Sequence, residues 1–315
     1  MNDSVEVIFV LHSVWVFQPV KVKKIMKSGY WLISTEHLQE GLWFREETDF
    51  KVAMNYVAIQ AHLGRVRVLA FILMSNHVHF VLGGSRDEVV EFVNEFRRRY
   101  SIYYSRKYGA KEFLRRNDVD YKLLEREDEA LEKAVAYVQM NCVAANICLY
   151  PYQYLWGTGK AFFNLDKPDG QLVSSFSRRA LRRLLHSECS TLPGDWLVCN
   201  EGYILPQSYV DVEEVESCFK TAKRMYYFLN TSSKAKKRLD ASAGTMPAFR
   251  DQIIVAAIPD LCQSLFGKRS FDILTPEEKT EVMRQIGFRF SATVKQIARV
   301  CGLSYEAATK MMDTV

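Results

Sequence analysis

Two predicted strands meet at a turn in the stretch Leu69-Ala70-Phe71-Ile72-Leu73-Met74-Ser75-Asn76-His77-Val78-His79-Phe80-Val81-Leu82. The apolar runs Val66–Leu73 and His77–Leu82 have the length of buried strands, and polar residues separate them. Alternate residues of a strand share a face. The two histidines therefore point the same way and could bind one ion, while Val78 packs into the core. A chance pair among the six histidines of the chain is the alternative explanation.

A tyrosine and an asparagine at helical spacing follow downstream, in Tyr137-Val138-Gln139-Met140-Asn141. Positions i and i+4 lie on one face of a helix, so Tyr137 and Asn141 can address one site. A phenol, with a pKa of about 10, is a weak nucleophile at neutral pH. A divalent cation that neutralises a phosphodiester would help Tyr137 attack it and form a phosphotyrosine bond. The alternative is a half-buried tyrosine beside a surface asparagine.

Both segments resemble the motifs of the single-tyrosine HUH transposases, and in particular those of the REP-associated tyrosine transposases. In that family a His-hydrophobic-His strand belongs to a ferredoxin-like fold, and the nucleophilic tyrosine lies on a later helix, four residues before an amide. The resemblance implies that Tyr137 is the nucleophile, that His77 and His79 bind the metal, and that Asn141 is a third ligand. It also implies Mg²⁺ or Mn²⁺ as the cofactor, with a 5′-phosphotyrosine and a 3′-OH as products of DNA cleavage.

The resemblance covers residues 28–165 and includes departures. Tyr154-Leu155-Trp156-Gly157-Thr158-Gly159 is similar to the Tyr-x-Trp-Ser-Ser stretch of the family. The family's Asn-Pro-Val-Arg is Asn141-Cys142-Val143-Ala144 in this chain, so the loss of the arginine removes a phosphate contact. Imidazole ligands favour zinc or other soft ions and Mg²⁺ prefers oxygen, so Mn²⁺ suits a mixed nitrogen and oxygen site.

The segments around these motifs predict an α+β domain with an antiparallel sheet and with helices on one face. Further strands are predicted at Tyr30–Glu36 and Tyr121–Glu125. Helices are predicted at Thr48–Leu63, from Ser85 to about Lys107 with Glu88 completing a capping box, and from about Glu127 to Ala145.

Five segments are expected along the chain. They are an N-terminal extension (1–27), the HUH catalytic domain (28–165), a basic accessory region (166–230), a linker (231–246) and a C-terminal helical domain (247–315). The linker prediction rests on Thr231–Gly244, which is polar, basic and rich in small residues. Met26 is an alternative start of translation.

Composition sets broad limits on the class of protein. The 315 residues are 48% hydrophobic and 25% charged, which indicates a folded core, and the net charge of +5 permits a nucleic-acid partner. Seven cysteines occur without a Cys-x-x-Cys motif, so we expect a reducing cytoplasm rather than a disulfide framework. The apolar run Val5–Val16 is short and contains His12, so neither a membrane span nor a signal peptide is expected.

Clusters of cations predict contacts with DNA phosphates, and interleaved tyrosines could stack on unpaired bases. The cations expected to face DNA are Arg97, Arg98, Arg99, Arg106, Lys107, Arg115, Arg116, Arg178 and Arg179. The alternative is an amphipathic helix whose aromatics pack inward and whose charges are solvated. We expect both features together, with Phe92, Phe96 and some tyrosines inside and the arginines on the DNA side.

The C-terminal sequence resembles a helix-turn-helix, with Gly302 in the turn and Ser304 as the second N-cap. Ile297, Ala298, Leu303 and Ala308 would pack the two helices together, and the residues expected to face DNA are Lys295, Tyr305 and Lys310. The alternative is a helical hairpin that does not touch DNA.

The favoured interpretation is a transposase-type enzyme that nicks and rejoins single-stranded DNA at a hairpin or palindromic repeat, as a monomer or homodimer. The first alternative is a non-catalytic DNA-binding regulator that uses the C-terminal helices. A metal-dependent hydrolase of small substrates is disfavoured, because such enzymes need further His, Lys and Asp ligands on repeated strand-helix units.

Overall fold

The computed structural model describes residues 28–35, 41–109, 114, 119–125, 129–166, 168–189, 191–234 and 249–313. The predicted N-terminal extension and most of the predicted linker lie outside these residues. The first elements of the chain are β1 (Gly29–Ser34), α1 (Glu47–Leu63), β2 (Arg67–Met74), β3 (His77–Gly84), α2 (Arg86–Tyr108), β4 (Asp120–Leu123), α3 (Ala130–Gln139) and α4 (Asn141–Ala144).

The four strands form one antiparallel sheet in the order β2-β3-β1-β4. The mixed α+β class and the antiparallel sheet were both predicted, and the structure confirms them. β2 and β3 make the expected hairpin, in which Ile72 lies opposite His79. On the other side of β3, His79 pairs with Ser34 of β1. The histidine strand is therefore central in the sheet and is held by neighbours on both sides.

Helices cover both faces of the sheet, which corrects the prediction that they lie on one face. Phe80 of β3 packs against Phe92 and Phe96 of α2, and α1 lies beside α2. The neighbouring residue His79 contacts Tyr137 of α3 instead. Adjacent residues of a strand point to opposite faces, so α1 and α2 form one outer layer and α3 lies on the other.

Capping explains where α2 begins. The Ser85 hydroxyl accepts a hydrogen bond from the amide of Glu88, and the Glu88 carboxylate accepts one from the amide of Ser85 at 2.9 Å. These bonds form the predicted capping box, which satisfies two amides that the first helical turn leaves without a partner. The helix ends at Gly109, whose positive φ of 67° suits a residue without a side chain.

The outer edge of β2 is covered by the aromatic segment 154–158. The amide of Leu73 in β2 donates to the carbonyl of Trp156 at 2.8 Å. In the opposite direction, the amide of Thr158 donates to the carbonyl of Phe71 at 3.0 Å. A Cβ atom at Gly157 would lie 2.7 Å from the Phe71 carbonyl oxygen, so only glycine permits this approach. The segment protects a strand edge that would otherwise expose unpaired backbone groups.

The remaining elements complete the main core and a separate C-terminal bundle. The accessory region contains β5 (Gln171–Leu172), α5 (Arg178–Leu185), β6 (Leu197–Val198), α6 (Val212–Phe219) and α7 (Ala222–Thr231). The bundle contains α8 (Asp251–Phe266), α9 (Pro276–Phe290), α10 (Val294–Val300) and α11 (Tyr305–Asp313), around its own hydrophobic core. Along the described residues, no helix is both long and apolar enough to cross a membrane.

Hydrogen bonds from Gln252 join the C-terminal bundle to the chain around the histidine hairpin. The side-chain amide of Gln252 on α8 donates to the carbonyl of Phe44 at 2.8 Å and to the hydroxyl of Ser75 at 3.4 Å. Ser75 lies in the turn that leads into β3. The bundle therefore touches the chain two residues before His77.

A buried carboxylate holds α1 and α2 together. Asp49 is fully buried, and its carboxylate accepts hydrogen bonds from the hydroxyls of Tyr103 and Tyr108. The carboxylate also forms an ion pair with the Lys107 ammonium at 2.6 Å. Burial, together with the Asp49 carboxylate, raises the pKa of Tyr103 to about 12 even though Lys107 opposes this shift. A buried charge with this many partners is costly to leave uncompensated.

We predict that Asp49→Asn lowers the free energy of unfolding by about 1.5–3 kcal/mol, because it removes the buried carboxylate that Lys107, Tyr103 and Tyr108 bond, although Lys107 keeps its pair with Glu46. The measurement is urea unfolding followed by circular dichroism. The control is Glu95→Gln, which breaks the exposed ion pair between Glu95 and Arg98 of α2. The loss of this pair should lower the free energy of unfolding by less than about 1 kcal/mol. Equal losses for the two variants would contradict a special role for Asp49.

Candidate functional site

The two histidines of β3 lie side by side on one face, as the strand period predicts. Their ring centroids are 5.0 Å apart and the rings are nearly perpendicular. His77 is half-buried, and its Nδ1 lies 3.0 Å from Oδ1 of Asn76, whereas His79 is fully buried. An ion about 2 Å from one nitrogen of each ring is compatible with this spacing. The pair therefore fits a shared divalent ion.

Tyr137 lies directly against this pair. It is on α3, which packs across β2 and β3, and its ring centroid is 5.6 Å from that of His79 in an edge-to-face arrangement. The side chain is half-buried. The structure thus brings together a phenol and two imidazoles from segments about sixty residues apart in sequence. They form a continuous row of rings from His77 through His79 to Tyr137.

Asn141 lies beyond a break in the predicted helix. A single helix from Glu127 to Ala145 was expected, but α3 ends at Gln139 and α4 begins at Asn141. The side-chain amide of Asn141 donates to the carbonyls of Tyr137 at 2.9 Å and Val138 at 3.3 Å. Asparagine competes with backbone donors in this way and disfavours a continuous helix. The amide nitrogen therefore caps α3, and any metal ligation by this residue falls to its oxygen.

Protein ligands for an ion are few at this site. Among the described residues, no three His, Cys, Asp or Glu side chains come together as a metal site. The sequence predicts a donor set of two imidazoles and one amide oxygen, of which the two imidazoles lie side by side in the structure. Additional ligands would have to come from a substrate phosphate or water, as is usual for a catalytic ion with open positions.

Lys234 is a residue of this site that the sequence interpretation missed. Its Nζ lies 4.7 Å from the centroid of the Tyr137 ring, and the side chain is buried. Lys234 lies in the polar run Thr231–Gly244, which the sequence predicts to be a linker. Residues 231–234 are part of the folded structure, however, since α7 extends to Thr231. No motif in the sequence indicates this lysine, because only the return of the chain past α3 brings it to Tyr137.

Arg97 and Lys107, which are both predicted to contact DNA, bond to other parts of the protein instead. Arg97 is only 5% exposed and donates from Nη2 to the carbonyl of Leu114 at 2.6 Å, which corrects the expectation that it faces DNA. The Lys107 ammonium pairs with Asp49 and, at 2.5 Å, with Glu46. Burial opposes the charge of Lys107, but its bonds to the two carboxylates raise its pKa overall.

Other predicted cations form a basic surface on the α1 and α2 layer. Arg106 is exposed, and Arg98 is exposed while paired with Glu95. Burial raises the pKa of Tyr56 to about 12, and the nearby charges of Arg99 and Arg106 oppose this shift. This layer covers the sheet face opposite Tyr137, so these cations do not line the row of rings.

The basic helix α5 adjoins the same layer. The hydroxyl of Tyr56 donates to the carbonyl of His186, which follows α5, at 3.0 Å. Arg178 and Arg179 on α5 are exposed. Arg115 and Arg116, the remaining predicted pair, lie outside the described residues.

The C-terminal helices pack as the sequence predicts. Ile297, Ala298 and Ala308 are buried, and Leu303 packs against their cluster. The side chains expected to face DNA, Lys295, Tyr305 and Lys310, are all exposed, and Lys295 Nζ lies 5.8 Å from the Tyr305 ring centroid. The exposure of these side chains is compatible with DNA contact, which stays a prediction.

Comparisons with known proteins add little to this geometry. No family model and no curated protein matches the sequence. A solved structure of a REP-associated tyrosine transposase bound to a REP hairpin is similar to this chain with a TM-score of 0.32 and 12% sequence identity. The similarity covers 41% of this chain and 76% of that chain. Similarity at this level establishes neither a family nor a function for this chain.

We predict that Asn141→Ala lowers the free energy of unfolding by about 1–3 kcal/mol, because it removes the donor to two carbonyls at a buried helix end. The measurement is chemical denaturation. The matched control is Asn230→Ala, since Asn230 makes the same bond to a carbonyl four residues earlier, at 2.8 Å, on an exposed helix surface. Asn230→Ala should cost less than about 1 kcal/mol. A harmless Asn141→Ala would show that the cap has no structural role.

Proposed function

We propose that the protein is a single-strand DNA transesterase of the tyrosine HUH type, with a ferredoxin-like catalytic domain in residues 28–165. The observation that carries the proposal is the row of rings in which Tyr137 packs on His79 at 5.6 Å and His79 on His77 at 5.0 Å. A phenol beside two imidazoles on one strand can support metal-assisted attack on a phosphodiester, because it places a nucleophile next to two possible metal ligands. Packing alone does not require this combination.

Tyr137 is the proposed nucleophile. Its phenolic oxygen forms a bond to the phosphorus as the bond from phosphorus to the 3′ oxygen breaks. The phenol loses its proton and the departing 3′ oxygen gains one, which gives a 5′-phosphotyrosine and a 3′-OH. The phosphoester bond is conserved, so attack by a second 3′-OH on the phosphotyrosine reverses the step and joins a new strand.

His77 and His79 would hold the divalent ion, Mg²⁺ or Mn²⁺, with the amide oxygen of Asn141 as a third ligand. When bound, such an ion neutralises phosphate charge and polarises the scissile phosphate. The protein contributes orientation, because β3 is central in the sheet and fixes both imidazoles. The bond from the Asn141 amide to the carbonyl of Tyr137 fixes that amide relative to the nucleophile.

Lys234 is a proposed positioning residue for the phosphate. A buried ammonium 4.7 Å from the Tyr137 ring places a positive charge beside the nucleophile. A phosphodiester that approaches Tyr137 carries one negative charge, and the low polarity of a buried site strengthens the attraction between the two. The positive charge of Lys234 would replace in part the phosphate contact of the arginine in the Asn-Pro-Val-Arg motif, whose position is Ala144 in this chain.

We assign hairpin or repeat DNA to surfaces away from the row of rings. The exposed cations of α2 and α5 and the C-terminal helices would bind duplex phosphates, while the strand to be cut reaches Tyr137 on the other face of the sheet. The alternative function, a DNA-binding regulator, uses the C-terminal helices alone and needs no chemistry at Tyr137. The protein would act as a monomer or a homodimer.

We predict that the protein forms a covalent adduct with single-stranded hairpin oligonucleotides in the presence of Mn²⁺, and that Tyr137→Phe abolishes this adduct. The measurement is denaturing gel electrophoresis, in which a covalent adduct keeps its shifted mobility. Tyr152→Phe is the control, because Tyr152 is an exposed tyrosine outside the site. If a broad set of hairpins stays intact but still binds, the regulator is the better interpretation.

We predict that His77→Ala weakens Mn²⁺ binding at least about tenfold, because it removes one of two imidazole ligands, and that it also abolishes the adduct. His79→Asn should act in the same direction. Binding is measured by the decrease of the free Mn²⁺ signal in electron paramagnetic resonance. His62→Ala is the control, since His62 lies at the end of α1 and contacts Trp196 instead. Unchanged Mn²⁺ affinity in both site variants would rule out the histidine pair as the metal site.

A further inference from the structure

A cleft of about 720 Å³ opens beside the proposed nucleophile. Tyr137 forms part of its wall, together with residues of β4, α3 and the end of α7. Its volume lies within the range of about 300–1,000 Å³ that is usual for ligand sites. A molecule in this cleft would therefore touch Tyr137 directly.

The charges of the cleft are nearly balanced, which argues against a simple phosphate channel. Lys122 and Lys133 line it, but so do Glu125 and Glu129. Glu129 is paired with Lys133 at 3.6 Å and with Arg224 at 3.2 Å, so its negative charge is largely compensated. The phosphate backbone of a DNA strand would need an excess of cations along the cleft. The balance favours a less charged part of the substrate, such as a base.

An exposed aromatic side chain stands at the cleft. Tyr227 on α7 lines it and is 62% exposed, whereas the neighbouring Phe228 is 4% exposed and packs against Phe219. The Tyr227 ring rests edge-on against Phe228, with centroids 5.7 Å apart, so part of its surface is supported while the rest faces solvent. An aromatic surface held in this way is a platform on which an unpaired base can stack.

We infer that this cleft receives an unpaired nucleotide adjoining the scissile phosphate and that Tyr227 stacks on its base. The inference rests on the proposed function of Tyr137, because the cleft leads to that side chain. Stacking on an aromatic side chain contributes about 1–3 kcal/mol per base and tolerates any base. Ser233, which also lines the cleft, carries a hydroxyl that can bond the sugar or the base edge.

The test compares two adjacent tyrosines on α7. Tyr226 and Tyr227 are 59% and 62% exposed, but only Tyr227 is among the residues that line this cleft. The probe is a short fluorescein-labelled DNA single strand of mixed sequence, with affinity measured by anisotropy. Tyr227→Ala should weaken binding about 5- to 150-fold, the equivalent of one stacked base. Tyr226→Ala should change it less than about twofold, and Tyr227→Phe should bind nearly as well as the native protein.

Further measurements separate stacking from other effects. An oligonucleotide with abasic positions should bind the native protein and Tyr227→Ala equally, and a blunt duplex should show no dependence on Tyr227. Equal affinities of Tyr227→Ala and Tyr226→Ala for the single strand would overturn the inference. A dependence on Tyr227 that persists with abasic DNA or duplex would overturn it as well.

The covalent adduct distinguishes this inference from the proposed function. If the native protein forms the adduct and Tyr227→Ala binds as Tyr226→Ala does, only the stacking role is wrong. If the native protein forms no adduct with any hairpin, the transesterase proposal is wrong. The affinity measurements then still decide whether the cleft binds an unpaired base.

Discussion

The alternation of side chains along β3 is the constraint on which the rest of the structure depends. Val78 and Phe80 point into the layer of α1 and α2, and the buried packing of Phe80 on Phe92 and Phe96 fixes the strand. His77 and His79 must then point to the other face. A shift of one residue in the pairing of β2 with β3 would bury the polar imidazoles in the aromatic core and remove them from Tyr137.

The end of α3 joins structure and proposed chemistry in a second way. The side-chain amide of Asn141 donates to the carbonyl of Tyr137, and Cys142 Sγ donates to the carbonyl of Gln139 at 3.3 Å. These two side chains therefore satisfy carbonyls that the end of α3 leaves without a backbone partner. The helix therefore stops just after the tyrosine. Tyr137 lies near the end of α3, where its ring is held against His79 and forms part of the wall of the cleft.

The tertiary structure divides the cations into groups with different roles. Lys107 of α2 pairs with Asp49 of α1, and Arg97 bonds the carbonyl of Leu114 in the chain that follows α2. Arg106 and the exposed arginines of α5 lie on the outer surface of that layer. Lys234 is buried against Tyr137. A cluster of basic residues in the sequence therefore contains structural cations and surface cations side by side, and composition cannot separate them.

The sequence by itself determined the four strands and the first two helices, and it placed both histidines on one face of β3. Strand period predicted that His77 and His79 share a face, and capping residues predicted the start of α2 at Ser85, because these are short-range effects of the backbone. Only the tertiary structure decided that α3 covers the histidine face, that Arg97 is buried, and that Lys234 and the Tyr227 cleft lie at Tyr137. Those arrangements follow from long-range packing between segments far apart in the chain, and neither periodicity nor spacing along the sequence encodes which segments meet.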